Sequence, residues 1–279
     1  MRFTKMHGIG NDFILLDGFN GAPEDPGALA LRLCDRHFGI GADGLILALP
    51  SRRADAGMRI LNSDGSEAEM CGNGIRCFCK YVFDRGLVEK TDFTVETLGG
   101  IMHPVVRPED GVAKSICVEM GKPELDPAKV PVRSEGPCIE QKMTVLGQEV
   151  TYTTMAIGGV PHTVVFVEDL DQVDVATLGR AMELSPVFPA KTNVNFGQLM
   201  DEHTIKVRTW ERGCGCTLAC GTGSTATAVA GALTGRTGRK VTIELALGAL
   251  EIEWAEDDRV FMTGPAAIAF EGTISLGED

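Results

Sequence analysis

Residues 208 to 223 read RTWERGCGCTLACGTG, and residues 59 to 74 read RILNSDGSEAEMCGNG. Laid on each other at a constant offset of 149 residues, they superpose Arg59 on Arg208, Asn62 on Glu211, Cys71 on Cys220, Gly72 on Gly221 and Gly74 on Gly223. Each copy ends in a cysteine, a glycine-bearing turn and the start of an expected helix. One design used twice predicts two similar halves.

The chain's 279 residues exceed one ordinary hydrophobic core, so two domains are expected. Apolar residues make up 44% and charged residues 23%, the balance of a globular protein. A formal charge of -13 argues against nucleic acid as a partner. No apolar run reaches membrane-spanning length, and MRFTKMHGIG lacks the apolar core of a secretion signal, so no membrane association and a cytoplasmic location are expected. Nine cysteines, at 34, 71, 77, 79, 117, 138, 214, 216 and 220, are too sparse and too odd in number for a disulfide scaffold. Reduced thiols are expected, and the absence of paired Cys-x2-Cys spacing speaks against a metal site.

In chain order, Phe3 to Met6 predicts a short edge strand, His7 to Asp12 a glycine-rich turn that presents Asn11, and Phe13 to Leu16 a second strand. Pro26 to His37 predicts a helix, Gly39 to Leu49 a turn and a buried strand, and Gly57 to Leu61 a strand delivering Asn62. A helix follows from residue 73 or 74 to Asp84, with Ile75, Phe78, Cys79 and Val82 on its apolar face. Strands and turns run from Val88 to Val118, and the Gly121 to Pro127 stretch is the best domain boundary. The pattern then restarts: a strand at Gln148 to Ala156, a turn at Gly158 to His162, a strand at Thr163 to Val167 and a helix at Asp174 to Glu183. Strands at Asn193 to Phe196 and Thr204 to Trp210 lead into the second copy. Ser224 to Leu233 is a helix of small apolar residues that needs a sheet around it, and four closing strands follow between Val241 and Phe270.

A cysteine at a helix N-terminus faces unpaired backbone N–H groups, which favour a thiolate, so a lowered pKa is expected at Cys71 or Cys220. The same groups can hold a substrate carboxylate. Two such thiols suit inversion at a carbon bearing an acidifiable hydrogen, because one removes the proton from one face and the other returns one to the opposite face. Arg212 can grip a carboxylate and Glu211 can accept from an ammonium group, although an exposed ion pair between them is an equal alternative. Asn11, Asn62, Asn73 and Asn193 are candidates that also fit plain turns or caps, and His162 fits either a pocket wall or a turn.

The stretches HGIGNDF (7 to 13), GIGADGL (39 to 45), NSDGSEAEMCGNGIRC (62 to 77), PH (161 to 162), NVNF (193 to 196), ERG (211 to 213) and LACGTG (218 to 223) together resemble the diaminopimelate epimerase family. The resemblance implies an α/β (α+β) fold of two pseudo-symmetric domains, each a mixed β-barrel around a central helix, with the active site between them. The expected domains are residues 1–120 plus 266–279, and residues 121–265. It also implies cofactor-independent epimerisation of LL-2,6-diaminopimelate to meso-diaminopimelate, in lysine and peptidoglycan precursor synthesis, by a homodimer. Cys71 and Cys220 would transfer protons, with no metal. Asn11, Asn62, Asn193, Glu211 and Arg212 would hold the substrate, Gly72, Asn73, Gly221 and Thr222 the reacting carboxylate, and His162 would line the site. Two departures from the family pattern, Val160 in place of asparagine and Cys216 in place of glutamate, keep open a pyridoxal-independent racemase of another amino acid.

Overall fold

A computed structural model describes residues 1–275 of the chain; residues 276–279, which belong to the C-terminal segment expected in the first domain, lie outside the described residues. Two compact units form: Met1–Val118 with the chain from Gly264 on, and Glu119–Thr263.

The first unit contains β1 (Arg2–Gly8), β2 (Asn11–Asp17), α1 (Pro26–Cys34), β3 (Gly44–Leu49), β4 (Ala56–Asn62), β5 (Glu67–Ala68), α2 (Gly72–Asp84), β6 (Val95–Thr97), β7 (Gly100–Met102), β8 (Val105–Glu109) and β9 (Val112–Glu119). The second contains β10 (Gln141–Val145), β11 (Gln148–Ile157), β12 (Val160–Val167), a 3-10 turn (Leu170–Gln172), α3 (Val175–Glu183), β13 (Asn193–Asp201), β14 (Thr204–Glu211), β15 (Gly215–Thr217), α4 (Gly221–Leu233), β16 (Lys240–Leu245), β17 (Gly248–Trp254) and β18 (Val260–Gly264). The chain then returns to the first unit as β19 (Ala267–Thr273).

The internal repeat holds at the level of elements. α1 and α3, and α2 and α4, are each offset by the same 149 residues at both ends. Pairing repeats too. In the first unit β1–β2 is antiparallel, β2–β3 parallel, β3–β4 antiparallel and β4–β6 parallel. In the second, β11–β12, β12–β13, β13–β14 and β14–β16 follow the same alternation. Even the caps repeat, since Asp25 accepts from the Ala28 N–H and Asp174 from the Thr177 N–H, each at 3.0 Å.

Each sheet is an open middle layer. Leu45 and Leu47 of β3 join α1 residues Leu29 and Leu33 in one apolar cluster, whereas Ile46 and Ile60 lie against Gly74 of α2. Burial on both faces accounts for the continuous apolar run LILAL, because alternate side chains all meet a helix. Likewise Val194 and Phe196 of β13 pack in the cluster that contains Val175 and Met182 of α3, while Asn195 between them meets Gly223 of α4.

This layering corrects the expected β-barrels. In the first unit the strand path runs from β19 through β1, β2, β3, β4 and β6 to β7, and among the described residues the two end strands do not pair. In the second it starts at β10 and does not return to it. A barrel encloses its core within one sheet; here each sheet is covered by helices on both faces and has no need to close. The architecture is α+β with two mixed sheets. The expected edge strand at Phe3 to Met6 is also corrected, because β19 pairs with β1 on the side away from β2.

α4 shows why small residues were selected. Gly221 and Gly223 to Gly231 are all buried, and α4 packs on β11, β12, β13, β14, β16 and β17. Its hydroxyls are satisfied internally: Ser224, Thr225 and Thr227 each donate to the carbonyl four residues earlier at 2.9 Å. Among the described residues no helix is long and apolar enough to cross a membrane.

Candidate active site

In the first unit Cys71 is the N-cap of α2, with extended backbone (φ -139°, ψ 123°). Its Sγ accepts from the Gly74 N–H at 3.4 Å, and the thiol faces Asn11 Oδ1 at 3.8 Å. Asn11 opens β2 directly after a turn in which Ile9 and Gly10 take φ of 56° and 88°. Its Nδ2 donates to Asp43 Oδ2 at 2.7 Å, and its Oδ1 accepts from Asn73 Nδ2 at 3.1 Å. Asp43 also accepts from Arg36 at 2.9 Å. Beside it, Asp12 binds Arg36 and Lys5 at 2.8 and 2.7 Å. Burial works to raise the Asp12 pKa, but the Arg36 and Lys5 bonds outweigh it and hold the carboxyl at about 2.

The Gly72 carbonyl accepts from Arg76 Nη1 at 2.9 Å. Asn62, exposed at the end of β4 and paired in register with Gly44, has a different partner, with Nδ2 on Ser66 Oγ at 2.9 Å. Thus Cys71, Gly72, Asn73 and Asn11 come together, and Asn62 rests in its own turn.

In the second unit Cys220 is the N-cap of α4 (φ -128°, ψ 110°) and forms no side-chain capping bond. Its Sγ lies 3.5 Å from Thr222 Oγ1, and the Glu211 carboxylate stands near enough for its charge to act on the thiol. Glu211, at the end of β14, accepts from Thr217 Oγ1. Burial raises the Glu211 pKa above its ordinary value. Burial, reinforced by the Glu211 charge, pushes the Cys220 thiol up to about 12. This corrects the expected lowering at Cys220: desolvation of a nearly enclosed sulfur outweighs the helix N-terminus.

The expected turn at Gly158 to His162 is shorter than the sequence implied. Gly158 and Gly159 take φ of 57° and 79°, and Val160, Pro161 and His162 already belong to β12. That register places His162 beside Asn193 of β13. Asn193 Nδ2 donates to the Pro161 carbonyl at 3.3 Å, and its Oδ1 accepts from the Arg212 N–H at 2.7 Å. The Arg212 guanidinium donates to the Ala190 carbonyl at 2.8 Å. Glu211 and Arg212 therefore turn to different partners rather than to each other.

His162 is fully buried, and burial, followed by the Arg212 charge, lowers its pKa to about 3. Its Nδ1 lies 3.3 Å from Asn195 Nδ2, while its Nε2 has no hydrogen-bond partner among the described residues. Gly221 accepts from Thr225 Oγ1. Among the described residues no group of three or more His, Cys, Asp or Glu side chains is arranged to hold a metal.

Three participants escaped the sequence reasoning: Asp43, Arg76 and Asn195. Asp43 and Arg76 stand inside motifs already quoted, GIGADGL and GNGIRC. The available signal was a charge between apolar neighbours in an otherwise buried segment. Asn195 was legible by alternation, since it shares a strand face with Asn193.

The family model described as Diaminopimelate epimerase matches residues 3–125 and 154–269. A protein named diaminopimelate epimerase from Heliobacterium modesticaldum is 50% identical over 282 residues, covering 99% of this chain and 100% of that protein. One of the same name from Methanococcus maripaludis is 46% identical over 278 residues, covering 99% and 100%. Among solved structures, a probable proline racemase from Agrobacterium radiobacter superposes with a TM-score of 0.70 at 18% identity, covering 99% of this chain and 93% of that one. A PhzF-family phenazine biosynthesis protein from Bacillus anthracis gives 0.71 at 16% identity, covering 99% of each. These two share the fold. The near-complete matches at about half identity go further: this chain belongs to the diaminopimelate epimerase family.

Proposed function

We propose that this protein epimerises LL-2,6-diaminopimelate to meso-diaminopimelate, a step of lysine and peptidoglycan precursor synthesis, using Cys71 and Cys220 as its two proton-transfer groups. The observation that carries the assignment is that each cysteine caps one of two buried helices standing in register at the 149-residue offset.

One sulfur, as thiolate, takes the Cα proton and becomes a thiol. The other, as thiol, delivers its proton to the opposite face and becomes a thiolate. The electron pair left at carbon by the first step forms the new C–H bond in the second, so the reaction is redox-neutral and its steps require no cofactor. The Cα proton is weakly acidic, and charge developing on the carboxylate must be stabilised. The backbone N–H groups of Gly72 and Asn73 on α2, and of Gly221 and Thr222 on α4, have the right chemistry, at about 3 kcal/mol for a well-placed donor. Asn11, Asn62, Asn193, Glu211 and Arg212 supply the donors and acceptors that recognise a zwitterionic diacid, and His162 lines the site. A homodimer in the cytoplasm is the expected form.

Incubation with LL-diaminopimelate in deuterated water tests the assignment. Deuterium at Cα of newly formed meso product is expected. Failure to form meso product, with turnover of another amino acid in a parallel panel, rejects the substrate while keeping the chemistry.

A further inference from the structure

A line of four side chains in the first unit passes beside the Cys71 sulfur, and its hydrogen-bond polarity is set from both ends. At one end Asp43 can only accept. Arg36 Nη2 donates to its Oδ1 at 2.9 Å and the Asp12 N–H to its Oδ2 at 3.1 Å. Asn11 must therefore turn its amide nitrogen toward Asp43, at 2.7 Å. At the other end Arg76 is fully buried and can only donate. Its Nη2 reaches Asn73 Oδ1 at 3.1 Å, while Nη1 and Nε hold the Gly72 and Pro265 carbonyls at 2.9 and 3.2 Å.

Asn73 is thereby forced to present Nδ2 to Asn11 Oδ1, at 3.1 Å. Both amides have one orientation that satisfies these charged neighbours. The outcome is a carbonyl oxygen of Asn11 facing the Cys71 thiol, while the Gly74 N–H also reaches the sulfur. The sulfur has an acceptor for its protonated form and a donor for its ionised form. Gly8 keeps this line open, because a Cβ there would stand 3.0 Å from Arg76 Nη2 and 3.2 Å from the Asn73 carbonyl.

The fold does not require the line. At the 149-residue offset Asp43, Asn11, Asn73 and Arg76 correspond to Thr192, Val160, Thr222 and Thr225. The second unit builds the same strand pairings and an equally long helix with none of those charges or amides. Thr192 is bonded to Thr163, and Thr225 to the Gly221 carbonyl of its own helix.

We propose that Asp43 and Arg76 are positioning residues that lock the Asn11 side-chain oxygen onto the Cys71 thiol by fixing the orientation of two amides. The inference rests on Cys71 being a proton-transfer residue. The charged and titratable groups of this unit that bear on the line are Arg36, Asp12 and Lys5 around Asp43, and Arg76 and Cys77 on the helix of Cys71.

The test compares Asp43→Asn with Asp43→Glu by peptide-mapped iodoacetamide alkylation of Cys71 across pH, alongside kcat/KM and Tm. An asparagine at 43 both donates and accepts, which removes the constraint at one end and leaves only the Asn73 amide to hold Asn11, so that Asn11 reverses and brings its NH2 group to the sulfur in part of the molecules. D43N is expected to move the alkylation midpoint of Cys71 to lower pH and to reduce kcat/KM by about tenfold or more, with Tm within a few degrees of wild type. D43E keeps an accept-only group and is expected to retain the wild-type midpoint. Loss of a nearby negative charge alone would also favour the thiolate, but about 1 M salt would largely screen that effect and would leave an amide orientation unchanged. A D43N midpoint equal to wild type, a shift that vanishes in high salt, or an equal shift in D43E overturns the proposal. If wild type fails to epimerise diaminopimelate, the functional assignment fails; alkylation needs no turnover and still decides the role of Asp43.

Discussion

Glu211 and Cys220 stand within electrostatic reach of each other: burial raises the pKa of both, and the Glu211 charge, next in weight, adds to the rise at Cys220. A thiol whose pKa is pushed up to about 12 carries its proton at rest, the form in which it can act as a proton donor. Glu211→Gln preserves shape and removes the charge. The alkylation midpoint of Cys220 is expected to fall, and kcat to drop by about tenfold or more with Tm little changed. Unchanged kcat would assign Glu211 to some other duty.

His162 is expected to be a neutral hydrogen-bond donor rather than a base. The Thr163 carbonyl can only accept, so Asn195 turns Nδ2 toward it, at 3.4 Å, and toward His162 Nδ1, at 3.3 Å. In that orientation Thr209 Oγ1 donates to Asn195 Oδ1 at 3.0 Å. His162 Nδ1 is then an acceptor, and the ring proton sits on Nε2, the buried atom with no partner among the described residues. Imidazole nitrogen-15 shifts should report this tautomer from about pH 5 to 9; a protonated ring at the lower end would refute it.

The same histidine makes stability depend on pH. Its folded pKa of about 3 lies below the ordinary 6.5, so its contribution is complete above pH 6.5 and is lost as pH falls toward 3. At about pH 5 the loss is about 2 kcal/mol. Glu211, with a raised pKa, acts with the opposite sign, so the quantity to measure is the difference between wild type and His162→Asn in urea unfolding. That difference should change by about 2 kcal/mol between pH 7 and pH 5. A pH-independent difference would show that His162 titrates alike in both states.

The repeated cysteine-glycine-helix design was legible because its parts are local: a cap, a turn and an apolar face with a fixed period. It located α2 and α4 to within a few residues and brought Cys71 and Cys220 to equivalent caps. Sheet closure was not legible, because whether two end strands pair depends on residues far apart in the chain; α1 and α3, which cover the outer faces, were read as helices without a side assigned. Pro161 misled in the same way. A Gly-Gly-x-Pro run reads as one turn, yet the turn ends at Gly159 and Pro161 sits within β12, opposite Ala156. The Cys220 pKa needed a burial that only packing reveals, and Arg76 needed Gly8 from another strand to make room for it.

On the proposed mechanism, Cys71→Ala and Cys220→Ala each remove one of the two proton-transfer groups. Each is expected to lower kcat for epimerisation by about 100-fold to 10000-fold, the range for a lost acid-base group. Conversion of LL-diaminopimelate to the meso isomer followed by chiral chromatography is the readout. Near-normal turnover in either variant overturns the two-thiol assignment.

Gly223 and Gly74 occupy equivalent places on α4 and α2, yet substitution at the two should differ. A Cβ on Gly223 would lie 2.3 Å from Asn195 Oδ1 and 3.2 Å from Cys220 Sγ. Asn195 cannot retreat, because Thr209, the Thr163 carbonyl and His162 hold all sides of its amide. A Cβ on Gly74 would meet the flexible end of Ile60 at 3.0 Å, with Cys71 Cβ at 3.4 Å. Gly223→Ala is therefore expected to cost about 1–3 kcal/mol by overpacking, and to disturb Cys220 and His162 together. Gly74→Ala should cost less, since a methyl group can rotate aside. Urea unfolding of the two variants gives the comparison, and equal losses would mean that Asn195 is less firmly held than its hydrogen bonds imply.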